Sequence, residues 1–188
     1  MPYSKKTPVE LQTDAQQGQM PAVNELQRRA QLKTTNRDTA ECQYILSYLY
    51  GVGLCVAKNE DLQIKWARKA SANGHAMASF LISENYRVGE SGLKQNAKQA
   101  YNYCETALQQ SPCHPLPDVS FRLGTYYMTG LGGKQDKATG FELIANAAAH
   151  GYAPAQAFLE SIGFKDIANA IETSKLLTAF NEADHVNR

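Results

Sequence analysis

The sequence predicts an all-α fold: an α-α superhelix, or solenoid, of three to four helix-turn-helix repeats with a helical cap at each end. Three observations carry that expectation. Short motifs recur at intervals of roughly forty residues. Within each copy the apolar residues keep the spacing of an amphipathic helix. Glycine, asparagine and aspartate stand where one helix should stop and the next should start.

The first helix of each copy is read from AECQYILSYLYGVG at Ala40, ASFLISENYRVGES at Ala78 and VSFRLGTYYMTGLG at Val119. Eight residues into each copy stands a tyrosine (Tyr48, Tyr86, Tyr127), and three residues later a glycine (Gly51, Gly89, Gly130). Offsets 0, 4 and 8 share one stripe at helical spacing, so Ala78, Ile82 and Tyr86 are expected to face the core together. In this register Cys42 sits at offset 2, where the other copies have Phe80 and Phe121, and is expected to be half-buried. The glycine after the tyrosine can take the left-handed conformation that ends a helix. A fourth start at Ala155 gives spacings of 38, 41 and 36 residues.

The second helix repeats in step. Asn59, Asn96 and Asp136 stand seven residues before the anchors Trp66, Tyr103 and Leu143, where capping side chains are favoured. Ala70, Ala107 and Ala147 follow four residues on and permit close helix approach, and Gly74, Ser111 and Gly151 close each copy. Ahead of the array, residues 1–37 read as an N-terminal helical cap with a hairpin over about 8–33, and Gly18 precedes Ala22 as a closing glycine precedes a start. The solenoid spans 38–163. Residues 164–188 read as a capping helix and tail, with Phe164, Ile167, Ile171, Leu176 and Phe180 near one face. A single hairpin cannot bury its own apolar face, so a capped stack is required.

Composition excludes several classes. The chain has 188 residues, 43% of them hydrophobic, enough for one domain with its own core. Nineteen lysines and arginines against 18 acids leave a net charge of +1, which argues against nucleic acid as the main partner. The longest apolar stretch, residues 44–57, is shorter than the roughly 18 residues a membrane span needs, and two glycines interrupt it. No signal peptide is visible as written, which points to the cytoplasm.

Candidate chemistry is sparse. Cys42, Cys55, Cys104 and Cys113 form no CxxC pair and no metal-ligand spacing with histidine. They read either as buried thiols or as two helix-to-loop disulfides, Cys42 with Cys55 and Cys104 with Cys113, which would suit a periplasmic or secreted protein. Cys104 or Cys113 with His114 is the only conceivable thiol–imidazole set, and adjacency in sequence does not orient Cys113 and His114 toward each other. His75 and His150 flank closing glycines, where a helix carboxyl end tolerates a cation. GLGGK at residues 130–134 lacks the spacing of a phosphate loop and reads as turn glycine. No catalytic residue, metal site or cofactor is expected.

Taken together, the motif A-x-x-x-L-G-x-x-Y-x-x-G-x-G followed by D-x-x-x-A-x-x-W-x-x-x-A-A-x-x-G resembles the Sel-one-like repeat (SLR) family, relatives of the tetratricopeptide repeat. Residues 119–132 fit the first half closely and residues 66–74 the second, and the resemblance covers about 40–163. Ile45 and Ser83 stand where the pattern has its first glycine, and Ser111 where it has the closing one. The insert SPCHPLPD, residues 111–118, lengthens the second junction into a stiff proline-rich loop.

The resemblance implies a non-catalytic protein–protein interaction module, a scaffold or adaptor in a bacterial multiprotein complex. A dedicated inhibitor or immunity protein for one effector is the alternative, and a thiol- or metal-dependent regulator or enzyme a remote one. The partner, another protein or peptide, is expected on the concave side lined by the first helices. With offsets 0, 4, 5 and 8 buried, the open stripe holds Gln43, Ser47 and Tyr50 in the first copy. The second copy adds Leu81, Glu84, Asn85 and Val88, and the third Arg122, Thr125, Tyr126 and Thr129.

Overall fold

The computed structural model describes residues 2–34, 36–111, 115–164, 166 and 169–176, and among them every regular element is helical. The chain forms two compact units, Met1–Asn96 and Ala97–Arg188. The first holds a short 3-10 turn, Pro2–Lys5, followed by α1 (Pro8–Gln16), α2 (Met20–Ala30), α3 (Arg37–Val52), α4 (Glu60–Ala72) and α5 (Ala76–Val88). The second holds α6 (Ala97–Gln109), α7 (Pro117–Thr129), α8 (Lys137–Ala149), α9 (Ala153–Ser161) and a helical stretch at 169–176. Sequential helices pack on one another within each unit, α3 on α4 and α7 on α8 most extensively. This is the helical-hairpin repeat architecture that the sequence predicts.

The turns within the hairpins fix the register of the repeats. The backbone N–H of each capping residue donates to a carbonyl in the last turn of the preceding helix: Asn59 to Tyr50, Asn96 to Tyr86 and Asp136 to Tyr127, each at 2.9 Å. The helices end on left-handed glycines, Gly53 (φ 73°), Gly89 (φ 81°) and Gly130 (φ 74°). These bonds and caps make Tyr50 and Gly53, not Tyr48 and Gly51, the counterparts of Tyr86/Gly89 and Tyr127/Gly130. The first copy therefore starts at Cys42, two residues later than the sequence motif suggests, and the starts 42, 78, 119 and 155 lie 36, 41 and 36 residues apart. Gly51 is instead helical, where a Cβ would meet the Gln63 side chain at 2.8 Å.

Once the register is shifted, burial becomes uniform. Cys42, Ala78 and Val119 open the copies and are buried, as are Leu46, Ile82 and Leu123 four residues on. The next position holds only small residues, Ser47, Ser83 and Gly124, all buried. Ile45 is thus no substitute for the motif's glycine; Ser47 stands there. Offset 7 is buried in each copy (Leu49, Asn85, Tyr126), whereas the offset-8 tyrosines Tyr50, Tyr86 and Tyr127 are half-buried. At about 100° per residue, seven residues return to within 20° of the starting direction and eight overshoot by about 80°. A 0–4–8 stripe therefore drifts off the core.

Caps behave as their chemistry dictates. The Asn59 side chain accepts from the Leu62 N–H at 2.9 Å, and Asp136 accepts from Ala138 and Thr139 at 3.1 and 3.2 Å. Gly18, Gly74 and Gly151 share one left-handed conformation (φ 86°, 84° and 81°), and Ala22, Ala78 and Ala155 beyond them are fully buried. The expected N-terminal hairpin is α1 and α2, opened by a Thr7–Glu10 capping box. Leu11, Val23, Leu26, Leu46, Leu49 and Trp66 form the first unit's core. In the second, Phe164 and Ile171 pack on a core of α8 and α9, but Leu176 is 57% exposed and Ala170 and Ser174 take the buried face. Ile167 and Phe180 lie outside the described residues.

Two predictions test this packing. A Cβ at Gly140 would lie 2.8 Å from both the Gly124 carbonyl and the Met128 backbone nitrogen, so α7 and α8 cross on bare backbone. Gly140→Val should lower the unfolding free energy by about 1–3 kcal/mol, and Ala149→Val on the exposed face of α8 should change it by under about 0.5, in urea titration. At the amino end, Glu25 binds Arg28 and Arg29 at 2.7 and 2.8 Å, and Arg29 donates to the Tyr3 and Ser4 carbonyls at 3.1 Å. The hydrogen bonds from Arg28, then those from Arg29 against an opposing effect of burial, pull the Glu25 carboxyl from 4.5 down to about 2. A depressed acid stabilises the fold above its unfolded pKa and loses that effect as pH falls toward its folded one. The stability gap between wild type and Glu25→Gln should be full at neutral pH, and shrink between pH 4.5 and about 2.

Candidate functional site

The end of α3, the start of α4 and the last turns of α5 leave a groove of about 810 Å³ in the first unit. Gly51 keeps its floor low, and Gln63 Oε1 accepts from Ser91 Oγ at 3.2 Å, tying α4 to the turn after α5. Leu81 and Val88 contribute apolar wall, Val88 with 41% of its surface exposed. Of the five charged residues that line it, Arg87 pairs with Glu84 at 2.9 Å and Lys58 with Glu60 at 3.1 Å, and Glu90 adds one further carboxylate. Such a surface suits a polypeptide with both apolar and polar side chains.

The residues expected on the open stripe divide. Leu81, Glu84, Asn85 and Val88 all line this groove. Gln43 and Ser47 do not; they are 4% and 0% exposed. Gln43 is a structural staple, its Nε2 donating to the Ala30 carbonyl at 3.0 Å and its Oε1 accepting from Asn73 at 2.8 Å. Tyr50 is half-buried, and its hydroxyl accepts from Gln27 at 3.2 Å. Asn85 and Tyr126, 5% and 3% exposed, occupy the buried offset 7. On α7, Arg122 and Thr125 are half-buried and Thr129 is exposed, with the threonine hydroxyls donating to the Arg122 and Thr125 carbonyls at 2.7 Å.

Shifting the first copy by two residues brings two others to the open offsets 6 and 10. Tyr48 and Val52, 39% and 53% exposed, correspond to Glu84 and Val88 on α5 and to Thr125 and Thr129 on α7. The sequence holds the signal that would have found them. Only a start at Cys42 puts a small residue, Ser47, at the motif's glycine and leaves equal turns before Asn59 and Asp136.

The other candidates have structural roles. Cys42, Cys55 and Cys104 are free thiols, which favours the buried-thiol reading over a Cys42–Cys55 bridge. Cys42 is fully buried and not half-buried, and burial pushes its thiol up to about 11. Cys104 is fully buried, its thiol toward the Val119 carbonyl, while Cys113 and His114 lie outside the described residues. His75 caps the start of α5 by accepting from the Ala78 N–H at 3.2 Å, and it stacks on Tyr44. Its Nε2 lies 3.3 Å from Glu41, a hydrogen bond that lowers the pKa of that carboxyl. GLGGK is turn glycine, as expected: Gly130 (φ 74°) and Gly132 (φ 83°) are left-handed, and a Cβ on Gly132 would also lie 2.2 Å from the Ala97 carbonyl. Among the described residues, no three His, Cys, Asp or Glu side chains are grouped to hold a metal.

A model of the Sel1 repeat matches residues 40–75, 76–112 and 117–152, with boundaries that keep the same two-residue lead over 42, 78 and 119. The chain belongs to the Sel1 repeat family. Sel1 repeat proteins are generally protein–protein interaction modules, and their fold is typically non-enzymatic. A Sel1 repeat protein from Oxalobacter formigenes is similar over 74% of this chain and 97% of its own, at 25% identity and a TM-score of 0.64. A protective antigen of uropathogenic Escherichia coli with an SLR fold is similar over 90% of this chain and 41% of its own, at 18% identity and a TM-score of 0.60. Both sources are bacterial, in keeping with the expected origin. None of the curated proteins compared matches the chain. Among the described residues, no helix is long and apolar enough to cross a membrane.

The Sel1 register itself can be tested on α3. Gln43→Leu should cost about 1–3 kcal/mol, because the buried Ala30 carbonyl loses its donor, whereas Val52→Ser should cost under about 0.5. Thermal or urea unfolding of the two variants distinguishes the registers, since a start at Ala40 makes Gln43 the solvent-facing residue.

Proposed function

We propose that this Sel1 repeat protein is a non-catalytic scaffold or adaptor that holds a segment of another protein on the open stripe of its first helices. The groove of about 810 Å³, lined by Leu81, Glu84 and Val88, is the observation that carries the reading. Tyr48 and Val52 extend the same register positions onto α3. In the second unit, taken by itself, Arg122, Thr125 and Thr129 hold the equivalent positions on α7. Exposed tyrosine and valine beside paired charges supply apolar anchors within a polar rim, the composition that concentrates binding energy at interfaces.

Affinity capture from the source organism's lysate tests this, with wild type beside a Val52→Asp, Val88→Asp variant whose folding is verified by circular dichroism. Both positions are exposed, so the double variant should fold. A partner recovered with wild type and depleted at least tenfold with the variant supports the reading. An identical set recovered with both removes the stripe as the binding surface. Recovery of one very tight partner at equal stoichiometry favours the dedicated inhibitor over the adaptor.

A further inference from the structure

The net charge of +1 conceals a local imbalance on α4. Its acids, Glu60 and Asp61, sit in the first turn, and Lys65, Arg68 and Lys69 follow, all three exposed. The first-turn acids and Lys69 in the last turn complement the helix dipole, but Lys65 and Arg68 stand too far from the ends for that to account for them. The three cations edge a second cavity in the first unit, about 420 Å³, whose remaining lining includes Ile64, Leu93 and the Ser91–Gly92 turn. One carboxylate, Asp61, faces them there.

Two of the cationic heads are held in place. Lys69 Nζ lies 4.5 Å from the centre of the Trp66 ring, and an Arg68 N–H donates to the Tyr86 hydroxyl at 3.1 Å. Fixing long side chains in advance lowers the entropy lost when a partner binds. We infer that this cavity docks an acidic segment of a partner protein, its carboxylates against Lys65, Arg68 and Lys69 and its backbone over Ile64 and Leu93. Three cations facing one carboxylate select an anion. A volume of about 420 Å³ is that of a pocket for several side chains, not for one small ion. Residues 65 to 69 rise about 6 Å along the helix, close to the roughly 6.6 Å between alternate residues of an extended strand. Acidic residues at alternate positions would thus meet the cations in turn. The inference rests on the reading of the chain as an interaction module but uses a separate cavity, which adjoins the groove at Ser91 and Gly92.

Trp66, the chain's one tryptophan, lies beneath Lys69 and reports occupancy directly. The full chain is titrated at low salt with an acetylated octaglutamate peptide, and Trp66 fluorescence is followed beside parallel titrations with octalysine and inorganic phosphate. A saturable change with octaglutamate alone is expected. It should weaken at least tenfold in a Lys65→Gln, Arg68→Gln, Lys69→Gln variant, and severalfold as salt shortens the Debye length to about 8 Å. A Lys65→Glu, Lys69→Glu variant, which keeps the Arg68–Tyr86 bond, should lose the response altogether. No saturable change overturns the inference, and so does an undiminished response in both variants or an equal response to phosphate or octalysine. The Val52→Asp, Val88→Asp variant should keep the octaglutamate response, so failure of the groove and failure of this cavity are read separately.

Discussion

A single backbone hydrogen bond at each turn governs the rest of the architecture. When Asn59 or Asp136 donates to the carbonyl nine residues earlier, the chain must reverse within a short turn, and Asn96 makes the same bond to Tyr86 ten residues earlier. The reversal needs a left-handed residue at the end of the first helix. It also brings the following segment so close that a Cβ on Gly53, Gly89 or Gly130 would lie 3.1–3.2 Å from Lys58, Gln95 or Gln135. Glycine meets both demands at once. The tyrosine that offers the carbonyl is thereby fixed at the hairpin end, with its ring half-buried and its hydroxyl able to reach a neighbour. Tyr50 meets Gln27, Tyr86 meets Arg68, and Tyr127 meets Tyr101 and Glu105.

From that turn inward, packing follows from size. The position after the buried Leu46 or Leu123 must be small because the second helix of the hairpin packs there, most closely where Gly124 faces Gly140 and Ile144. Ala70 on α4 and Ala147 on α8 complete the close approach from the other side, both with no exposed surface. Such a contact draws its stability from many dispersion contacts at short range, and it tolerates added volume poorly. It also turns offset 7 of the first helix inward. The outward positions left on each first helix are few, and they carry the differences between copies: Tyr48 and Val52, then Glu84 and Val88, then Thr125 and Thr129.

The helices, their caps and their spacing were legible in the sequence because each is a local property. Asn59 and Asp136 cap where their chemistry says, and the expected hairpin over 8–33 contains α1 and α2. The first repeat slipped by two residues for a specific reason. Tyr48 and Gly51 have the same spacing as Tyr50 and Gly53, so the tyrosine–glycine motif alone fits both registers. What separates them is non-local: the crossing demands a small residue at 47, and the clamp demands the same turn length as in the third copy. Four site residues were misplaced as exposed. Gln43 and Ser47 followed from the slip, and Asn85 and Tyr126 from treating offset 8 as the buried position. The partner of Gln43, the Ala30 carbonyl, lies thirteen residues away on another helix, beyond any periodicity argument.

That misplacement exposes how the fold divides labour. Positions that look polar along the first helices, such as Gln43 and Asn85, are spent inside: Gln43 links α2 to the end of α4, and Asn85 donates to the Leu81 carbonyl. Buried polar groups of this kind are tolerated only when satisfied, so they are constrained much as the apolar core is. Polarity along a first helix is therefore a poor guide to the binding surface. The better guide is freedom from the clamp, the crossing and the staple together. The outer turns of α3 and α5 have that freedom, and so does the cationic face of α4. Substitution at Val52, Val88, Lys65 or Lys69 changes what a partner meets while leaving the hairpin geometry as it was, which lets one helical frame carry different binding specificities.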